Sequence, residues 1–157
     1  DKAVQGLIQQ LVGLKECNRM RREYARRSGT RYEYIVRLRP DNWFYDPFPP
    51  LHTFLDGANV TVHIPDPSYK CCGNEDIFQV GHVHAMDKMM DRLDELKSFS
   101  SALADLAGTR PAKTWNAESF VKLVAEKHGI GITAMPGLHV HVKRFENSAR
   151  RNSDSNP

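Results

Sequence analysis

The stretch YEYIVRLRPDNWFYDPFPPL, residues 32–51, decides how the fold is read. Residues 32–38 are rich in β-branched and aromatic types and read as a strand. Pro40 pushes Arg39 away from helical geometry, so the strand ends near Asp41. The prolines of DPFPPL fix φ and remove backbone donors, which makes the following segment a rigid loop. An apolar strand that stops in Arg37, Arg39 and Asp41 either delivers its charges to a site or simply meets water.

Working outward, Val4, Leu7, Ile8, Leu11 and Val12 recur at helical spacing, and the pattern continues through Met20 and Tyr24 until Ser28 and Gly29 break it. Residues 60–64 alternate like a short strand, followed by the long connection PDPSYKCCGNED. Residues 84–99 read as one helix with Met86, Met89, Met90, Leu93 and Leu96 inward and the charged residues outward. Residues 100–114 read as a surface excursion. Asn116 can cap a helix whose inward residues are Phe120, Leu123 and Val124 and which ends at Gly129.

Two strands are expected at residues 130–134 and 138–145, joined at MPG. In the second, His139, His141 and Lys143 share the face opposite Leu138, Val140 and Val142. The alternation of strands and helices predicts an α/β domain over residues 1–146 with a mixed, mainly parallel sheet flanked by helices, its sites at strand C-terminal ends. Residues 147–157 carry no apolar anchor and are expected to be a disordered tail.

With 157 residues, 40% of them hydrophobic, and two Trp, five Tyr and seven Phe, one domain with a real core is the default. No apolar run approaches the roughly 18–20 residues of a membrane span. The chain opens at Asp1, already inside a helical pattern, and reads as a processed or partial sequence. The net charge is +3, but Lys15, Arg19, Arg21, Arg22, Arg26, Arg27 and Arg31 all precede the quoted strand. Such a cluster is either a solvated helix face or a surface that steers phosphate-bearing partners. Cys17, Cys71 and Cys72 lack the second close pair that a zinc framework needs.

Four polar clusters can carry chemistry: Arg37, Arg39 and Asp41; Asn74, Glu75 and Asp76; His82 and His84; His139 and His141. The two HxH pairs do not make an HUH nuclease, because no tyrosine follows Tyr69 to attack a phosphate. Glu75 and Asp76 serve either as acids for proton transfer or as charges that complement a helix N-terminus. Trp43, Phe44, Tyr45 and Phe48 form either a sugar platform or a lid on the core.

The order of these clusters resembles nucleotide-sugar glycosyltransferases of the GT-A type. YIVRLRPDNWFYDPFPPL, CCGNEDIFQVG with MDKMMDRL downstream, and WNAESF before a final strand resemble eukaryotic glycosyltransferases that carry an RPD motif, over residues 11–144. The resemblance implies a GT-A-like (Rossmann-like) fold, of which this chain holds the C-terminal portion without the N-terminal nucleotide-binding strands. It implies transfer of a sugar from a nucleotide-sugar donor to a glycan or other hydroxyl acceptor, with no nucleic acid as partner. It also favours the secretory pathway, the Golgi lumen above all, over the cytoplasm.

Residue by residue, Asp41 takes the place of the last acid of a DxD motif, where Mn²⁺ or Mg²⁺ would bridge the donor phosphates. Arg39 stands where that motif has its first acid, and with Arg37 it can pair with phosphate oxygens instead. Asp76 matches the acid of the xED motif and is the candidate catalytic base, with Asn74, Glu75 and Trp43 toward sugar or acceptor. His139 or His141 matches the C-terminal histidine that adds a metal ligand. Two other readings stand beside this one: a non-catalytic domain whose basic residues hold phosphorylated or nucleic-acid partners, and a metal-dependent phosphodiesterase using the histidine pairs with Asp41.

Overall fold

Buried side chains gather on both faces of one four-stranded sheet, and a strand that the sequence pattern hides lies inside it. The computed structural model describes residues 2–40, 42–44, 47–53, 59–65, 76–96, 98–99, 117–138 and 140–142; within these, the side chains of residues 2–4, 42, 43, 53, 141 and 142 lie outside the description. The strands are β1 (Tyr34–Leu38), β2 (Asn42–Phe44), β3 (Thr61–Pro65), β4 (Phe78–His82), β5 (Gly131–Met135) and β6 (Val140–Val142). The helices are α1 (Lys2–Ser28), α2 (Val83–Met90) and α3 (Ala117–Lys127), with 3₁₀ turns at Leu51–Thr53 and Arg92–Glu95.

The main sheet has the order β1-β4-β3-β5, and β2 pairs with β6 in a second, two-stranded sheet. Strand β4 runs antiparallel to β1, with Leu38 opposite Phe78, and antiparallel to β3, with Val62 opposite Gly81. Strands β3 and β5 run parallel, Ile64 facing Ala134. The protein is therefore mixed α/β, and the mainly parallel sheet expected from the sequence is corrected, since two of these three pairings are antiparallel. The reason is β4 itself: Phe78, Gln79, Val80 and Gly81 are all buried, so the strand has no period-two alternation to announce it.

Helices α1, α2 and α3 cover one face, where Ile35, Val62 and Ile64 join Leu11, Met86, Met89, Phe120 and Val124 in one buried cluster. On the opposite face Phe78, Val80 and Met135 meet Leu138, Val140 and Phe44. The β2–β6 ribbon thus sits on the side of the sheet away from the helices. Gly129 (φ 64°) follows α3 and Gly29 (φ 69°) follows α1, both left-handed positions that end helices at little cost for glycine.

Two helical expectations change. The helix foreseen over residues 84–99 stops at Met90 and resumes as the 3₁₀ turn Arg92–Glu95. This break rotates Arg92 from the polar side into the core, where its Nη1 donates to Met89 O at 2.6 Å. The basic face of α1, in turn, is partly closed against these elements rather than simply solvated. Arg21 pairs with Asp87 at 2.5 Å, Arg22 with Asp91 and Lys15 with Asp94. Among the described residues no helix is long and apolar enough to cross a membrane.

Candidate functional site

Strand β1 alternates, so Ile35 and Arg37 are buried on one side while Val36 and Leu38 are exposed on the other. Arg37 lies directly opposite Gln79 of β4, and directly paired residues of an antiparallel ladder share a face. Gln79 is 0% exposed and Arg37 only 6% exposed. One step beyond the last strand pair, Arg39 N donates to Ile77 O at 3.1 Å. That bond carries the β1–β4 ladder to the brink of the 39–41 segment.

Against the end of β1 lies helix α1. Gln10, Gly13 and Leu14 form one wall of an open groove of about 350 Å³, and residues 37–40 form the other. Among the described residues, two guanidinium groups line it and no carboxylate does. Arginine suits such a place, because its planar fork matches phosphate or carboxylate oxygens two at a time.

Asp76 lies behind this groove rather than on its wall. The residue is 4% exposed and its Oδ2 accepts a hydrogen bond from the Gln10 side-chain amide. It precedes β4, not a helix, so the helix N-terminus reading of this acid does not apply. Its negative charge supports the charged forms of both Arg37 and Arg92. Burial pushes the Arg37 guanidinium down from its usual range, Asp76 opposes that, and Arg39 adds to it. Arg92, 0% exposed, is pushed down to about 9, first by burial and then by Arg37, again against Asp76.

Sequence reasoning missed Arg92, because in an unbroken helix its position belongs to the charged side. The break at Asp91 is what brings it inward. Its only sequence signal is the aspartate-arginine step after the methionine run, which is too common to single out.

The other expected site residues divide. Asp41, Asn74, Glu75 and His139 lie outside the described residues, as do the side chains of Trp43 and His141. Their backbone is informative where it is described: β2 runs antiparallel to β6, with Trp43 opposite His141 and Asn42, the residue after Asp41, opposite Val142. The strand following Arg39-Pro40-Asp41 and the histidine strand are therefore hydrogen-bonded neighbours. Phe44 and Phe48 take the core-covering alternative, packing on Phe78 at centroid distances of 5.8 and 5.4 Å.

His82 caps α2 and His84 lies in its first turn, and neither is among the residues lining the groove. The His82 Nδ1 accepts from His84 N at 3.4 Å, and the two rings lie 5.0 Å apart. Among the described residues no three His, Cys, Asp or Glu side chains gather as a metal centre. No family model matches the chain, and no curated protein or solved structure matches it either.

Proposed function

We propose that the chain is a glycosyltransferase-like domain that transfers a sugar from a nucleotide-sugar donor to a hydroxyl acceptor. The observation that carries this reading is the pairing of Trp43 with His141. It joins the segment after Arg39-Pro40-Asp41 to the strand bearing the C-terminal histidine, as the resemblance to GT-A enzymes requires. Arg37 and Arg39 in the groove add support, since a leaving nucleoside diphosphate develops negative charge that a guanidinium stabilises.

In this reading Arg39 and Arg37 hold the donor diphosphate. Asp41 with His139 or His141 would hold Mn²⁺ or Mg²⁺, which when bound would offset phosphate charge. Trp43, Asn74 and Glu75 belong to the sugar or acceptor side. Asp76, shielded and held by Gln10, has little surface from which to reach a hydroxyl, and its role here is to balance Arg37 and Arg92.

A second reading is favoured by that same shielding. With the expected base withdrawn behind the groove, the domain is a non-catalytic binder of phosphorylated ligands. Incubation with a panel of nucleotide-sugar donors, with Mn²⁺ or with chelator, separates the two. Donor turnover that falls at least about a hundredfold in Asp41→Ala and Arg39→Ala supports the enzyme; donor binding without turnover supports the binder.

A further inference from the structure

We infer that the outward face of α1 is a self-association surface, on which two copies of the chain pack antiparallel about a two-fold axis at Glu16. This association depends neither on sugar transfer nor on the arginine groove.

Eight large apolar side chains stand exposed among the described residues, and four of them, Ile8, Val12, Met20 and Tyr24, belong to α1, at between 39% and 59% exposure. Their spacings are multiples of four residues, so together with Glu16 they make one continuous i±4n ridge along the helix. Apolar side chains scattered singly over a surface are ordinary, but an aligned row marks a contact. The row is also balanced about its middle, with Val12 and Met20 next on either side of Glu16 and Ile8 and Tyr24 beyond them. A two-fold contact demands that balance, because each patch must complement its own copy.

Ridges of this type interlock when two helices cross at about 50°, the commonest class of helix packing. In the antiparallel setting Val12 meets Met20 of the second copy and Ile8 meets its Tyr24. Each half of the ridge has a shallow groove beside it to receive the other row. One, of about 460 Å³, borders Val12 together with Lys15 and Leu93, and the other, of about 470 Å³, borders Met20 and Tyr24.

Charge selects the antiparallel arrangement. Helix α1 has no acid in its first turn and carries Arg26 and Arg27 in its last. Parallel packing would bring these arginines together, whereas antiparallel packing sets them at opposite ends. It also turns Glu23 of each copy toward Lys15 of the other. At the axis Glu16 and Arg19 of both copies gather as two acids and two bases, already paired within each helix. The row covers roughly 24 Å of helix, short for a standard interface, so the dimer is weak and reversible, with a Kd on the order of tens of micromolar.

The test is sedimentation velocity of the full chain over roughly 5–500 µM, a range that brackets a weak interface. A monomer–dimer equilibrium is expected. Val12→Lys and Met20→Glu, each at a half-exposed position, should weaken it at least about tenfold while leaving the melting temperature of the dilute chain unchanged. Mixing the two variants should restore dimerisation to near the wild-type level, because the two substitutions face each other only across an antiparallel contact.

A wild-type chain that stays monomeric over the whole range, a dimer that survives both variants, or a mixture that fails to associate would overturn the inference. So would a dimer broken by Val36→Lys and not by Val12→Lys, since that places the contact on the exposed face of β1 instead.

Discussion

Gln10, on the first helix, donates its side-chain amide to Oδ2 of Asp76, 66 residues further along the chain. The contact ties α1 to the entrance of β4 and keeps the carboxylate beside Arg37 and Arg92. Removing one partner from a buried charged group exposes the full cost of the charge left behind. Asp76→Asn is accordingly expected to destabilise the protein by about 3–5 kcal/mol in urea unfolding, and Gln10→Ala by about 1 kcal/mol. An acid kept for proton transfer behaves differently: Asp76→Asn would then abolish turnover and leave the urea midpoint where it was. An unmoved midpoint therefore refutes the counter-ion role.

Why α1, β1 and α3 could be read in advance, and β4 and Arg92 could not, follows from where each element meets solvent. Half-buried elements print a period in the sequence, as in the Ile35/Arg37 against Val36/Leu38 alternation of β1. Met86, Met89 and Met90 were legible as core for the same reason. Strand β4 is covered on both faces and prints none, and without it the remaining elements resemble a simple strand-helix alternation. At the site, the arginines were legible as charges ending an apolar run. The burial of Asp76 and the inward turn of Arg92 depend on contacts across more than sixty residues of chain and on a helix break, which no local pattern encodes.

Arg21 sits at the seam between α1 and α2 and does more than its neighbours on the basic face. Its guanidinium pairs with Asp87 and also donates to Asn18 Oδ1 at 3.0 and 3.1 Å, while Asn18 Nδ2 donates to Asp91 Oδ1 at 3.0 Å. Asn18 is fully buried. A double-mutant cycle on Arg21 and Asp87 is expected to give a coupling of about 1 kcal/mol, because both side chains are largely shielded. The same cycle on Arg19 and Glu23, which stand in open solvent, is expected to give a distinctly smaller coupling that disappears in high salt. Equal couplings would mean that the seam is not stiffened by this network.

Gly81 shows how tightly β3 lies on β4. A Cβ at this position would come within 2.7 Å of the Thr61 carbonyl oxygen and 3.2 Å of Val62 Cγ2. The obstacle is backbone within the sheet, which cannot swing aside as a side-chain tip can. Gly81→Ala is expected to cost about 2–3 kcal/mol, as overpacking of a filled interior does. Gly13→Ala is the control: nothing lies within 4 Å of a Cβ there, and alanine in a helix interior is favoured over glycine by roughly 1 kcal/mol. Thermal melts of the two variants should therefore shift in opposite directions, and a Gly81→Ala midpoint at or above wild type would contradict the close approach.

Glu95 links the 3₁₀ turn to the end of α3, and its chemistry fixes how the protein responds to acid. The carboxylate accepts from Lys127 Nζ, pairs with His128 Nε2 at 2.8 Å and accepts from Ser98 Oγ at 3.1 Å. The hydrogen bond from Lys127 is the main cause that lowers its pKa from 4.5 to about 2, helped by His128 and Ser98 and opposed by burial. Since the folded value lies below the unfolded one, the unfolded chain binds the proton more readily. Stability from this group is thus fully present above about pH 4.5 and is lost as pH falls toward about 2. Lys127 is 40% exposed, so solvent screening limits the gain to about 1 kcal/mol. Urea midpoints measured from pH 6 to pH 2 should fall less steeply for Glu95→Gln than for wild type, the two curves converging at the acid end. Parallel curves over that range would show that the Glu95 carboxylate is not held more tightly in the folded chain than in the unfolded one.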